Sequence, residues 1–274
     1  VGSEGTLGVI TAATLKLFPE PRSVATAWVA VAGVQQALTL LNLLRESSGD
    51  RVSSFELIPN VALALVREHI AGAKDPQVEP SDWYVLCEIA SSAEENMDAL
   101  LEAALGDSMD RKLVQDAAIA QSDAQRANFW KLRESVPESQ RHVGASIKHD
   151  ISVPASAMPE FVERGTALVA SIAPEGMLVA YGHLGDGNLH FNLSKRPKFS
   201  DTAFMARREP LQRAVHDLVA QLGGSISAEH GIGRYKVGEL ERYAAPLELE
   251  LMRGIKHTLD PNGIMNPGKV LRKV

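Results

Sequence analysis

The chain has a single cysteine, Cys87, among 274 residues. An internal disulfide is therefore excluded. Cys87 lies in the apolar run Trp83-Tyr84-Val85-Leu86-Cys87-Glu88-Ile89 and reads as a buried strand residue rather than a reactive thiol. No apolar run is long enough to span a membrane. Basic charge is not in excess: 28 Lys and Arg stand against 34 Asp and Glu, a formal net charge of −6. That excludes the electrostatic footprint of a non-specific nucleic-acid binder. Low-complexity tracts and short-period repeats are lacking. The glycines of residues 2–8 are not a P-loop, because no Gly-Lys-Ser/Thr follows, nor a Rossmann fingerprint, because a strand pattern follows rather than a helix. They could still offer backbone N–H groups to a phosphate.

What is present is ordinary for a globular protein: 45% hydrophobic and 23% charged residues, in a chain long enough for one or two domains. Val1-Gly2-Ser3-Glu4-Gly5-Thr6-Leu7-Gly8-Val9-Ile10-Thr11 carries no initiator Met and no signal-peptide pattern, and reads as the middle of a longer protein. The periodicity predicts strands over 9–18, 23–31, 52–57, 83–90, 112–117, 145–153 and 225–228. Helices are predicted over 33–47, 60–71, 93–105, 123–135, 158–173, 207–222, 237–243 and 246–259, with a hairpin over 178–194. Several strands are amphipathic. The fold class expected is α+β: an antiparallel sheet covered by helices, in a duplicated ferredoxin-like arrangement.

The most informative run is Tyr181-Gly182-His183-Leu184-Gly185-Asp186-Gly187-Asn188-Leu189-His190-Phe191-Asn192. Asp186-Gly187 predicts a two-residue turn, since such turns need positive φ at both positions. The register then pairs 183 with 190, with Cβ atoms roughly 5 Å apart. Two imidazoles at that separation suit one metal ion. Asn192 shares their face, while Leu184, Leu189, Phe191 and Leu193 take the other.

A second run, Ser225-Ile226-Ser227-Ala228-Glu229-His230-Gly231-Ile232-Gly233, joins a carboxylate and an imidazole to two glycines. Glu229 could complete a two-His, one-carboxylate metal set, leaving His230 as a general base. A helix-entry pair in a surface loop is the alternative. Arg133 and Lys148 are candidate carboxylate grips, or else solvated charges. Trp28 and Trp83 read as core.

These motifs carry a resemblance. The Val1–Thr11 run resembles the last segment of the FAD-binding domain in the FAD-linked oxidases. Gly182-His183-Leu184-Gly185-Asp186-Gly187-Asn188-Leu189-His190, Ala228-Glu229-His230-Gly231-Ile232-Gly233 and Met265-Asn266-Pro267-Gly268-Lys269 are similar to the motifs of that family's C-terminal domain. It is a branch of the vanillyl-alcohol oxidase and p-cresol methylhydroxylase group. Lys148-His149-Asp150-Ile151-Ser152-Val153-Pro154 and the 181–192 run look most like D-2-hydroxyglutarate dehydrogenases. D-lactate dehydrogenases and glycolate oxidase subunits come next.

The resemblance implies roles. His183, His190 and Glu229 would bind a divalent metal, zinc or manganese. His230 would be the catalytic base. Arg133, Lys148 and Asn192 would bind substrate. Glu4, Gly5, Gly8, Ile10 and Asn266 would contact FAD, most of which an upstream domain would hold. Where the resembling enzymes carry a substrate-contacting Thr, this chain has Pro137, which offers neither hydroxyl nor N–H.

The domain expectation is a remnant of the FAD-binding domain at 1–22, a substrate domain with the metal site at 23–258, and a returning segment at 259–274. The implied function is oxidation of a D-2-hydroxy acid by hydride transfer to flavin. A separate electron acceptor, a homodimer and a bacterial cytoplasmic or mitochondrial location accompany it. A metal-dependent hydrolase and a non-catalytic metal-binding domain are the rival readings.

Overall fold

Successive residues of a strand point to opposite faces. In β1 (Ser23–Val31) both faces are apolar: Trp28 and Ala30 on one, Ala27, Val29 and Val31 on the other, all fully buried. Such a strand needs cover on both sides. The computed structural model, which describes residues 1–196 and 198–272, supplies it.

After β1 come α1 (Val34–Ser48), β2 (Val52–Pro59), α2 (Asn60–His69), β3 (Trp83–Ser91), α3 (Met97–Asp110) and β4 (Val114–Ile119). Then follow α4 (Asp123–Glu134), α5 (Val136–Val143), β5 (Ser146–Ile147), β6 (Asp150–Ser152), a 3-10 turn (Ala155–Ala157) and α6 (Met158–Ile172). The chain continues through β7 (Gly176–His183), β8 (Asn188–Lys195), α7 (Asp201–Met205), α8 (Arg208–Gln221), α9 (Val237–Tyr243) and α10 (Pro246–Leu259).

The chain divides into two units. The larger, Pro19–Ser225, holds one eight-stranded sheet in the order β4-β1-β3-β2-β7-β8-β5, with β6 also on β8. Every pairing among these strands is antiparallel. The sequence-based fold class is borne out, duplication included. The order β4-β1-β3-β2 is ferredoxin-like. A bridge between Ser152 and Ser225 completes the same order in the second half, where Ser225 neighbours β6, then β8, then β7. The halves meet where β2 pairs with β7.

One face of the sheet packs on α1, α3 and α6, with α8 against α6. It buries Phe55, Leu57, Val85, Cys87, Leu189, Phe191 and Leu193. Under α2, α4 and α5 the opposite face builds a second core around Trp28, Ile58, Tyr84, Leu86, Phe129, Val179 and Tyr181. Beyond that core the same face carries the polar residues of the site.

The smaller unit, Val1–Phe18 with Ile226 onward, contains α9 and α10. These limits fall at 18/19 and 225/226, whereas the sequence reading drew its divisions at 22/23 and 258/259. Lys273 and Val274 of its last segment lie outside the described residues.

Several local expectations are corrected. Residues 9–18 form no strand: among the described residues none pairs with them, and Ile10, Leu15, Leu17 and Phe18 are exposed. The strand expected over 145–153 is split into β5 and β6, and that over 225–228 reduces to the Ser225 bridge. The third helix starts at Met97 rather than Ala93, because the Asn96 side chain caps it by accepting from the Ala99 N–H. Helices α5 and α7 were not foreseen. Pro137 sits in the first turn of α5, where its missing N–H costs nothing.

Candidate functional site

The hairpin forms with a different register. Tyr181, not His183, pairs with His190, and residues 184–187 make a four-residue connection between β7 and β8. Gly187 has positive φ (74°) but Asp186 does not, so the tight turn that needs both is unavailable. Instead the Asp186 carboxylate accepts from the Asn188 N–H at 3.1 Å. The Leu184 N–H donates to the Phe55 carbonyl at 3.1 Å, and the Leu184 side chain is buried. A two-residue slip preserves facing, so His183 and His190 still share a face, as diagonal rather than direct neighbours. The direct partner of His183 is Glu56 of β2.

Glu56 is 3% exposed in a strand that is otherwise apolar around it, Phe55-Glu56-Leu57-Ile58. One carboxylate oxygen accepts from His183 Nδ1 at 2.6 Å and the other from Arg133 Nε at 2.8 Å. Burial pushes the Glu56 carboxyl up. The His183 hydrogen bond and the Arg133 charge outweigh it and hold the group below its ordinary value. The guanidinium of Arg133, itself buried, lies 5.0 Å over the Tyr181 ring, and Tyr181 packs on the His190 ring at 4.9 Å. Among the described residues, Nη1 and Nη2 of Arg133 make no hydrogen bond.

The next row continues on β8 and β6. Asp150 is the register partner of His190, and His190 Nδ1 lies 3.7 Å from its carboxylate. Asn192 is buried and donates to Gln140 Oε1 of α5 at 3.2 Å. β5 and β6 share one register against β8, which sets the exposed Lys148 opposite Asn192. The larger unit thus brings together His183, His190, Arg133, Lys148 and Asn192 on one face of one sheet.

The other candidates lie in the smaller unit. Glu229 and His230 are exposed in the loop ahead of α9. This loop is tied down by Glu4, whose carboxylate accepts from the Ile232 N–H at 2.6 Å and the Gly233 N–H at 2.7 Å. A side chain at Gly231, where φ is 72°, would put its Cβ 2.6 Å from that carboxylate. Asn266 Nδ2 donates to the Glu4 carbonyl at 2.6 Å. So Glu4 and Asn266 meet the Glu229–Gly233 loop. Gly5 is exposed with positive φ, Gly8 is half-buried, and Ile10 is exposed.

Sequence reasoning missed Glu56, Tyr181 and Gln140, and gave Asp150 no role. For Glu56 the signal was a lone carboxylate inside an apolar strand. For Asp150 it was a shared face with Lys148.

Known proteins are similar to this chain in sequence or in fold. A D-2-hydroxyglutarate dehydrogenase of Xanthomonas citri pv. viticola is 37% identical over 270 residues, covering 98% of this chain and 56% of that protein. The mitochondrial D-2-hydroxyglutarate dehydrogenase of Arabidopsis thaliana is 36% identical over 271 residues, covering 99% and 47%. That of Bos taurus is 37% identical over 273 residues, covering 99% and 48%. The chain spans about half the length of the curated relatives it matches. Among solved structures, a substrate-bound p-cresol methylhydroxylase shares the fold with a TM-score of 0.64 at 12% identity, over 93% of this chain and 54% of that one. An alkyldihydroxyacetonephosphate synthase does so with 0.62 at 16%, over 97% and 48%. The model of the family described as FAD linked oxidases, C-terminal domain, matches residues 20–270, and the chain belongs to that family.

Proposed function

We propose that this chain is the substrate- and metal-binding part of a FAD-dependent D-2-hydroxy-acid dehydrogenase, with D-2-hydroxyglutarate or a similar diacid as substrate. One observation carries the reading. On one sheet face, beside a buried arginine, His183 gives its Nδ1–H to the buried Glu56 carboxylate at 2.6 Å, and His190 holds Nδ1 3.7 Å from the buried Asp150 carboxylate. A ring that gives its Nδ1–H to a carboxylate keeps its lone pair on Nε2, the usual arrangement of a metal-ligating histidine. The donor set therefore fits a divalent ion. The names of the bacterial, plant and mammalian relatives support the substrate class.

In this reading His183 and His190 hold the ion together with Glu229. A bound zinc or manganese ion supplies Lewis-acid polarisation of the substrate hydroxyl. FAD, when bound, would supply the acceptor for a hydride from C2, with most of its site in a domain other than this one. Glu4, Gly5, Gly8, Ile10 and Asn266 are the proposed FAD contacts from this chain. Arg133 grips a substrate carboxylate through Nη1 and Nη2, since Nε is already engaged by Glu56. Lys148 holds the second carboxylate, and Asn192 orients the substrate between them. His230 takes the hydroxyl proton as the hydride leaves, so the alcohol becomes the 2-oxo acid. Glu229 and His230 belong to the smaller unit and enter on their motif alone. A separate acceptor reoxidises the flavin, and a bacterial cytoplasmic location completes the proposal.

The test is kinetic, in the full-length polypeptide. Lys148→Ala should raise KM for D-2-hydroxyglutarate about tenfold or more, the worth of one charged hydrogen bond, and leave D-lactate nearly unchanged. Equal losses for both substrates would discard the diacid assignment.

A further inference from the structure

We infer that Glu56 is a positioning residue that sets His183 and Arg133 as one rigid pair. The inference rests on the proposed roles of those two residues. Each oxygen of one buried carboxylate takes one partner, His183 Nδ1 at 2.6 Å and Arg133 Nε at 2.8 Å.

The placement follows from the fold. Glu56 and His183 are register partners across the β2–β7 junction, the seam between the two ferredoxin-like halves. Arg133 reaches the same carboxylate from α4. Phe55 and Leu57, buried on the opposite face, fix the strand on both sides of Glu56.

Two consequences follow. An anionic acceptor at Nδ1 selects one tautomer of His183 and leaves Nε2 as the coordinating nitrogen. The same anion occupies the Nε edge of Arg133 and turns the Nη1–Nη2 edge outward, the edge that forks onto a carboxylate. Metal affinity and carboxylate grip are thereby linked through a residue that touches neither ligand. Glu88 is the internal control. It lies on the same face, yet accepts from Thr26, Trp130 and Ser53 rather than from a site residue.

The first measurement needs no variant. Long-range 15N–1H spectra of the metal-free full-length polypeptide should show His183 in the Nδ1–H tautomer; an Nε2–H ring would overturn the inference. Glu56→Gln should then mix the tautomers and weaken zinc binding roughly 10- to 100-fold in competition with a chromophoric chelator. Glu88→Gln should change neither, and thermal melts report whether each variant is folded. A folded Glu56→Gln chain with wild-type zinc affinity and an unaltered His183 ring would also overturn it. Absence of zinc binding in the wild type would instead defeat the proposed metal site, and the tautomer spectrum would still decide the role of Glu56.

Discussion

Residues one position apart in β2 and β8 live in different chemistries. Phe55, Leu57, Leu189, Phe191 and Leu193 are buried against helices, with no charge among them. Their immediate neighbours Glu56, His190 and Asn192, together with His183 of β7, form a paired polar layer. The first face is held by packing, which tolerates no missing volume. The second is held by specific pairings, which a substitution can remove while the sheet remains. Stability and chemistry should therefore separate between adjacent positions of a single strand.

The sharpest test is the pair His190 and Phe191. His190→Ala should lower turnover of the full-length enzyme about a thousandfold, a metal's share of several kcal/mol, and leave the thermal midpoint nearly unchanged. Phe191→Ala should cost about 3–5 kcal/mol of stability, read from denaturant midpoints, because the ring is 1% exposed and packs edge-on against Phe161 at 5.1 Å. A large stability loss from the first change, or none from the second, would break the comparison.

The smaller unit extends it to charge held by charge. The Asp260 carboxyl is lowered to about 2, chiefly by the Lys256 hydrogen bond, against burial and with help from the Met265 and Ile264 N–H groups. A lowered carboxyl contributes stability that is complete above its unfolded value, near 4, and is lost as pH falls toward about 2. Protection of the Ile264 and Met265 amides, taken relative to their intrinsic exchange rates, should fall across that window, and Asp260→Asn should flatten the dependence. Unchanged protection from pH 5 to 2 would contradict it.

The smallest expected effect is on Cys87, on the packed face. Burial pushes its thiol up to about 12, so thiol reagents should label it only as the chain unfolds. Rapid labelling of the native chain would show that face to be open.

The fold was legible where period alone decides. Strands β1, β2, β3, β7 and β8 and most helices follow from alternation or from a 3.6-residue stripe. The duplicated topology follows from their order. The two histidines, Asn192 and Arg133 were legible as residue types set in unusual company. The register was not, because Asp186-Gly187 encodes a tight turn only if both residues take positive φ, and the pull of Leu184 into the core decides otherwise. Nor was Glu56, since a lone carboxylate in a strand reads as a solvent-facing residue until its partners from β7 and α4 are known. Residues 9–18 alternate as a strand should, yet alternation cannot supply the neighbour to which a strand must bond.

The most direct test of the central claim is anaerobic bleaching of the flavin in the full-length polypeptide, with D-2-hydroxyglutarate and with D-lactate, before and after chelation. The account predicts rapid bleaching by the diacid that chelation abolishes and added zinc or manganese restores. Bleaching that is indifferent to chelation, or absent with every 2-hydroxy acid, would contradict it.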